Sequence, residues 1–197
     1  MTDPRNVLVD RVWESELLDS REDFTLVAGA GAYEMGGTTL IMHDGIRVEI
    51  AYRIEVASDW STRNATIDIP ALARNHRVEV PEPGIWRIDG EHRPDLDGCS
   101  DIDLGWTPAT NTIPIRRLEL EGRNAATIRA AWLKWSELEF IATDQTYSRT
   151  SETTWRYASG NFSAELLVDD HGVVLSYGEP PIWREEVYGN EGGSPLG

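Results

Sequence analysis

Hydrophobic and polar residues alternate with a period of two along most of this chain. The clearest run extends from Ile46 to Val56, where apolar side chains occupy every second position and Arg, Glu or Ala lies between them. This alternation is typical of a strand with one face in a core and the other in water. Asp44 and Gly45 precede the run and follow another apolar segment, which predicts the turn of a β-hairpin.

Shorter alternating segments continue to the end of the chain, with turn-forming residues between them. The segments interpreted as strands include 65–69, 78–80, 85–88, 102–106, 127–135, 138–141, 145–150, 154–157, 162–168 and 173–177. Residues 117–133 contain helix-forming side chains, but Gly122 and the Thr127–Ile128 pair argue against a helix there. The pattern therefore predicts an all-β protein of about a dozen strands with little helix, arranged as a sandwich, roll or barrel.

The length of 197 residues fits one large domain, and neither an internal repeat nor a linker divides it. We therefore predict a single domain over residues 1–188. Residues 189–197 are rich in Gly, Pro and Ser, which predicts a flexible C-terminal tail.

The charge balance removes whole classes of function. The formal net charge is −16, from 34 acids and 18 bases, so the surface repels nucleic-acid phosphates and disfavours anionic membranes. Lys134 is the one lysine, which leaves little material for Schiff-base chemistry, and Cys99 is the one cysteine, so the sequence implies no internal disulfide. No stretch has the roughly 20 apolar residues of a spanning helix, and no signal-peptide pattern precedes the first strands. We predict a cytoplasmic protein without an integral membrane segment.

Two motifs resemble cofactor or metal sites without meeting their requirements. Residues 29–36 are glycine-rich like a dinucleotide loop, but that loop needs a helix immediately after it and a strand pattern follows here. Four aspartates between 95 and 103 could suggest calcium, but Gly98 does not match the EF-hand spacing. We predict neither a cofactor nor a metal.

The tryptophans admit two interpretations. Each indole supplies a large apolar area and one N–H donor. They can pack a core, or they can line an apolar ligand cavity left between the walls of a roll, where indole faces also stack on sugar rings. The eight are Trp13, Trp60, Trp86, Trp106, Trp132, Trp135, Trp155 and Trp183.

The segment between residues 101 and 117 concentrates polar groups around two prolines, Pro108 and Pro114. Each proline fixes its own φ and favours an extended residue before it, so we predict a rigid, irregular crossing or an edge rather than a helix. The side chains of residues 107–112 either satisfy backbone groups or face a ligand. Asp101 and Asp103 share one face of a strand, so they either face solvent or pair with arginines 116 and 117.

The same segment carries a family resemblance. Asp97-Gly98-Cys99 and the run from Asp101 to Leu118 resemble the signature of a bacterial family of glycolipid-binding proteins. Matches outside this run are Trp13-Glu14, Asp59–Arg63, Trp86–Gly90, Gln145 with Tyr147, Phe162 and Ile182-Trp183. The resemblance covers nearly all of the chain. It implies a spiral β-roll, similar in shape to the periplasmic carriers of lipoproteins, and a lipid or glycolipid ligand, and it brings no established catalytic residues.

From these observations we predict a non-enzymatic protein that holds a small amphipathic ligand, a lipid or glycolipid, in a tryptophan-rich cavity of an antiparallel roll or incomplete barrel. The candidate ligand-binding residues are Trp106, Asn111, Arg116, Arg117, Asp101 and Asp103. One alternative is an enzyme acting on a lipid or sugar with Asp101 or Asp103 as acid or base. Another is a scaffold whose acidic surface binds a protein partner.

Overall fold

The structure, a computed structural model, describes residues 6–135 and 137–186. The predicted tail at 189–197 lies outside these residues. One α-helix, α1 (Thr112–Leu120), follows a short 3-10 turn at Ala109–Asn111, and two further 3-10 turns lie at Pro70–Leu72 and Pro94–Leu96. The strands are β1 (Asn6–Ser15), β2 (Ser20–Ala28), β3 (Ala32–His43), β4 (Ile46–Ala57), β5 (Thr62–Ile69), β6 (Arg74–Glu82), β7 (Ile85–Ile88), β8 (Glu91–His92), β9 (Asp101–Leu104), β10 (Ala125–Lys134), β11 (Glu139–Arg149), β12 (Thr154–Ser159), β13 (Phe162–Val168), β14 (Val174–Tyr177) and β15 (Trp183–Glu185).

All described strands belong to one open sheet with the order β8-β7-β6-β5-β4-β3-β2-β1-β15-β14-β13-β12-β11-β10-β9. Strands adjacent in sequence are therefore adjacent in the sheet, except that β8 and β9 form its two edges and β1 pairs with β15, with Trp13 opposite Glu185. The predicted all-β roll or incomplete barrel is confirmed, and the 15 strands are close to the expected number.

Among the described strands, the predicted antiparallel pairing holds for every pair except one. β9 and β10 run parallel, with Asp103 opposite Trp132. A parallel pair needs a crossover that returns the chain to the end of the sheet where the first strand began. The segment containing α1 makes that crossover between β9 and β10.

The longest predicted hairpin, β3–β4, forms as expected. His43 pairs with Ile46, and both turn residues between them, Asp44 and Gly45, have positive φ (48° and 79°). A two-residue turn of this kind matches the twist of the strands it joins. The alternation along β4 places Val48 and Ile50 in the core, as its period predicts.

The sheet curls until strands far apart in its order meet across an interior. His76 on β6 packs edge-on against Phe140 on β11, with ring centroids 5.8 Å apart. The connection between the two edge strands spans the gap, because the Gly98 amide donates to the Gly84 carbonyl (2.8 Å) and the Ser100 amide to the Arg129 carbonyl (2.8 Å). The rolled sheet therefore encloses a space, and the segment after β9 enters it.

The helix α1 contradicts the prediction that the two prolines exclude a helix. Pro114 is the third residue of α1, inside the first turn, where backbone N–H groups have no intrahelical acceptor and a proline removes nothing. The helix ends before Gly122, whose φ is 64°. Ile113, Ile115 and Leu118 are almost completely buried, so one face of α1 packs inside the roll. Among the described residues, no helix combines the length and apolar character needed to cross a membrane.

We expect Gly37→Ala to destabilise the fold by about 1–3 kcal/mol, the usual cost of overpacking a core. A Cβ atom at Gly37 would lie 2.7 Å from the Asp23 carbonyl oxygen and 3.0 Å from the Tyr52 hydroxyl. Gly29→Ala is the control, since its Cβ would meet its nearest neighbour, the Ala32 carbonyl oxygen, at an ordinary 3.5 Å. Urea unfolding measures both variants, and equal stabilities would contradict the tight approach of β2, β3 and β4.

Candidate functional site

Strand register places a series of aromatic side chains on the inner face of the second half of the sheet. Tyr147 on β11 pairs with Tyr157 on β12, and Tyr177 on β14 pairs with Trp183 on β15. Directly paired residues lie on the same face of a sheet. Trp132 pairs with Asp103 in the parallel pair and lies on that face too. These strands therefore direct aromatic rings into the interior space. Residues 101–118, called the crossing segment below, fill part of that space.

A cavity of about 530 Å³ remains between this face, the crossing segment and the β1–β2 loop. Its apolar walls include Leu104, Trp132, Tyr157, Phe162, Tyr177 and Trp183. Leu17 and Phe162 also line it, and they are 73 % and 45 % exposed. The cavity therefore reaches the surface beside two exposed apolar side chains.

The crossing segment supplies a polar side to the cavity through Asp103 and Asn111. The Asp103 carboxylate accepts hydrogen bonds from the Thr110 hydroxyl (2.9 Å) and the Gln145 amide (2.6 Å). Burial raises the pKa of Asp103 above its usual value, the two hydrogen bonds oppose that rise, and the charge of Asp101 adds to it. The cavity wall thus holds one carboxyl group in a poorly solvated setting.

Asn111 is fixed by its own two hydrogen bonds. Its side-chain oxygen accepts from the Tyr147 hydroxyl (2.8 Å), and its amide nitrogen donates to the Pro108 carbonyl (3.0 Å). Asn111 is buried, and it lies where the 3-10 turn passes into α1. Tyr147 therefore joins the crossing segment to the inner face of β11 next to the cavity.

Asp101 forms a buried ion pair away from the cavity. Its carboxylate accepts two hydrogen bonds from the Arg117 guanidinium, both 2.7 Å, and one from the Ser100 hydroxyl (2.6 Å). Asp101 is 1 % exposed, and burial raises its pKa against the opposing effect of Arg117. The sequence hypothesis that these aspartates serve as partners for an arginine is confirmed for Asp101.

Arg117 lines a second pocket, of about 710 Å³, together with Asp59, Arg63 and Ser100. No aromatic side chain lines this pocket among the described residues. Its surroundings are polar groups, glycines, prolines and small aliphatic residues. We therefore regard the smaller, aromatic cavity as the candidate site for an amphipathic ligand.

The remaining predicted site residues, Trp106 and Arg116, lie away from the cavity. Trp106 is almost fully buried and packs edge-on against Trp135, with centroids 5.8 Å apart. Arg116 donates to Glu119 (2.7 Å) and lies over the Trp60 ring at 5.8 Å. Of the six candidate residues, the structure brings Asp103 and Asn111 to the cavity.

The tryptophans divide between the two interpretations. Trp132 and Trp183 line the cavity. Trp13, Trp60, Trp86, Trp106 and Trp155 are the largest fully buried side chains and pack the core. Sequence analysis missed the tyrosines and the phenylalanine that complete the aromatic wall, because their convergence depends on strand register and not on any local motif.

Comparisons with known proteins agree with this architecture. Residues 10–183 match the model of a family described as "Putative glycolipid-binding". The chain belongs to this family. A solved structure of a DUF1089 family protein from Pseudomonas aeruginosa is similar, with a TM-score of 0.67 and 31 % identity over 79 % of this chain and 88 % of that one. None of the curated proteins compared with the chain matches it significantly.

This member of the family also has a buried acid that the sequence analysis missed. Glu22 on β2 has no exposed surface, and its carboxylate accepts hydrogen bonds from the hydroxyls of Tyr52 (2.5 Å), Thr107 (2.8 Å) and Thr39 (3.0 Å). Burial raises its pKa to about 7, and the three hydrogen bonds limit the rise. The hydrogen bond from Thr107 to Glu22 anchors the crossing segment to the first half of the sheet. Thr107 also lines the cavity.

The described residues contain no group of three or more His, Cys, Asp and Glu side chains that could hold a metal ion. The aspartates considered for calcium have separate partners. Arg93 donates to Asp95 (2.7 Å), His92 hydrogen-bonds with Asp97 (3.0 Å), and Arg117 pairs with Asp101.

We expect the stability of the protein to fall as pH rises from 4.5 through 7. The folded protein binds more protons at Glu22 than the unfolded chain in this window, because its pKa rises from 4.5 to about 7. The stabilising contribution is complete below pH 4.5, and roughly 3 kcal/mol is lost once the folded group has ionised. Urea unfolding across this range measures the slope, and Glu22→Gln should reduce it.

Burial also raises the pKa of Asp101 and Asp103, so these groups too make the stability fall as pH rises. The dependence of stability on pH should therefore be weaker in Glu22→Gln than in the wild type, but not absent. The control is Glu49→Gln, at an exposed position on β4. If both variants show the same slope as the wild type, Glu22 does not titrate in this range.

Removing only the arginine of the buried ion pair should cost much more stability than replacing both residues of the pair. Arg117→Met leaves the Asp101 carboxylate buried without its cation, and we expect a loss of about 3–5 kcal/mol. Adding Asp101→Asn should recover most of that loss, which a double-mutant cycle measures as a coupling energy. Arg63→Met, at an exposed position, should change stability by about 0.5 kcal/mol or less. A coupling energy near zero would contradict the pair.

Proposed function

We propose that this protein binds a lipid or glycolipid in the cavity bordered by β9–β15, the crossing segment and the β1–β2 loop. The observation that supports this most is an apolar, aromatic-lined volume of about 530 Å³ with Asp103 and Asn111 on one side. Small-molecule sites commonly have volumes of about 300–1,000 Å³, apolar walls and a few fixed polar groups. Membership of a family described as glycolipid-binding supports the same class of ligand.

The apolar walls provide the affinity in this proposal. Burying one methylene group contributes about 0.8 kcal/mol, so ten of them contribute roughly 8 kcal/mol before the cost of immobilising the chain is subtracted. An acyl chain enters beside Leu17 and Phe162, the exposed apolar residues of the lining. The ligand contacts we propose on the polar side are Asp103 and Asn111.

The enzymatic alternative has less support. Asp101 is held by Arg117 outside the cavity, which leaves Asp103 as the one carboxyl group among the described lining residues. Sugar hydrolysis generally uses two carboxyl groups about 5–10 Å apart. The raised pKa of Asp103 would suit a general acid, but a second catalytic group is needed beside it. We therefore favour binding over catalysis.

Filling the cavity should abolish lipid binding. Thr143 lies on the inner face of β11 and lines the cavity, so Thr143→Trp projects an indole into the space that an acyl chain would occupy. We expect at least a tenfold loss of affinity for a dodecyl-chain glycoside, measured by native mass spectrometry and calorimetric titration.

Thr146→Trp is the matched control. Thr146 lies on the opposite face of the same strand, where its hydroxyl hydrogen-bonds to Thr127 (2.9 Å). It should bind the glycoside as the wild type does. Equal binding by the Thr143→Trp variant, or a wild type that binds no lipid of any class, would refute the proposed function.

A further inference from the structure

Among the described residues, the lining of the cavity contains an acidic side chain and no basic one. Asp103 supplies the one carboxyl group in its lining, and no Arg, Lys or His lines it among the described residues. The groups around Asp103 are hydroxyls, amides and aromatic rings. An anionic head group would therefore find no cation to pair with among the described lining residues, and the Asp103 carboxyl group beside it.

Asp103 has hydrogen-bonding capacity to spare. A carboxylate has about four acceptor positions, and Thr110 and Gln145 fill one on each oxygen. Because Asp103 lines the cavity, the remaining positions are available to a ligand. Hydroxyl groups are suitable partners, because they can donate to the oxygens of this carboxyl group.

Tyr157 and Tyr177 complement this acceptor. Both line the cavity, and burial together with the charge of Asp103 raises the pKa of each phenol, so both remain protonated donors. Their rings also present flat apolar faces, and Tyr177 stacks on Phe162 with the planes inclined by 15°. Acceptors, donors and aromatic faces together are what a sugar ring requires.

We infer that this cavity selects an uncharged, hydroxyl-rich head group, a sugar, and discriminates against lipids with anionic head groups, with Asp103 as the specificity-determining residue. The inference rests on the proposed function, since it concerns the head group of a lipid held in the same cavity. It assigns the acyl chain to the aromatic walls and at least one sugar hydroxyl to Asp103.

The test compares head groups on one chain length. Dodecyl maltoside, dodecyl phosphocholine, dodecyl phosphate and dodecyl trimethylammonium are titrated below their micelle concentrations, and binding is followed by calorimetry and native mass spectrometry. We expect the maltoside to bind at least tenfold more tightly than the phosphate. The zwitterionic and cationic compounds should also bind more weakly than the maltoside, because neither supplies hydroxyl donors.

Asp103→Asn tests the residue. The substitution keeps the shape and removes the charge, and the Gln145 amide can turn to accept from the new Asn nitrogen. The preference for maltoside over phosphate should fall at least fivefold. Asp144→Asn is the matched control, since Asp144 is exposed on the outer face of β11 and its replacement changes the net charge equally.

Each outcome separates the inference from the proposed function. If no dodecyl compound binds, the proposed function is wrong. If the phosphate binds as well as the maltoside, or the trimethylammonium compound binds better, lipid binding stands and the sugar selectivity is refuted. A selectivity change in Asp144→Asn as large as in Asp103→Asn would assign the effect to net charge and overturn the role of Asp103. Should Asp103→Asn not fold, the wild-type series alone decides the selectivity.

Discussion

The structure depends on a polar segment that is enclosed by a curled sheet. Residues 101–118 run through the interior, where each buried donor or acceptor without a partner costs free energy. Hydrogen bonds to both halves of the sheet meet part of that requirement: the Thr107 hydroxyl donates to Glu22 on β2, and the Tyr147 hydroxyl on β11 donates to Asn111. Thr62 on β5 also accepts from the Ile102 amide. These bonds fix where the segment lies and how far the two walls stand apart.

The cavity follows from that separation. The buried side of α1 packs between the walls with Ile113, Ile115 and Leu118, but the helix extends only from Thr112 to Leu120. Beyond its beginning, the aromatic face of β10–β15 faces a stretch whose lining residues are mostly small or short, namely Asp103, Gly105, Thr107, Pro108 and Asn111. Large rings on one side and short side chains on the other leave space. The volume that could hold a lipid is thus set by the same segment that joins the two walls.

Periodicity predicted the strands well because it is a local property. The alternation from Ile46 to Val56 determines which side chains face inward whatever the strand pairs with. The helix at Thr112–Leu120 escaped prediction because the effect of Pro114 depends on where the helix begins, and a proline in the first turn is harmless.

The site itself was only partly predictable. Asp101 and Asp103 share one face of β9, yet Arg117 holds the first in an ion pair while the second borders the cavity. Glu22 shares the two-residue spacing of the buried Phe24 and Leu26, which places its side chain on the inner face of β2. Its three hydrogen-bond partners, however, come from three distant segments of the chain. Two-residue spacing identifies the face, and only the three-dimensional register identifies the neighbours.

The pairing of β1 with β15 has a consequence for biosynthesis. β1 is made before β15, and its neighbour β2 follows it through a short loop. Its other edge remains unpaired until β15 has been made, because Trp13 pairs with Glu185. During that interval the nascent chain exposes a strand edge of the kind that joins other chains. Pairing with β15 covers this edge, so the exposure is a property of the unfinished sheet.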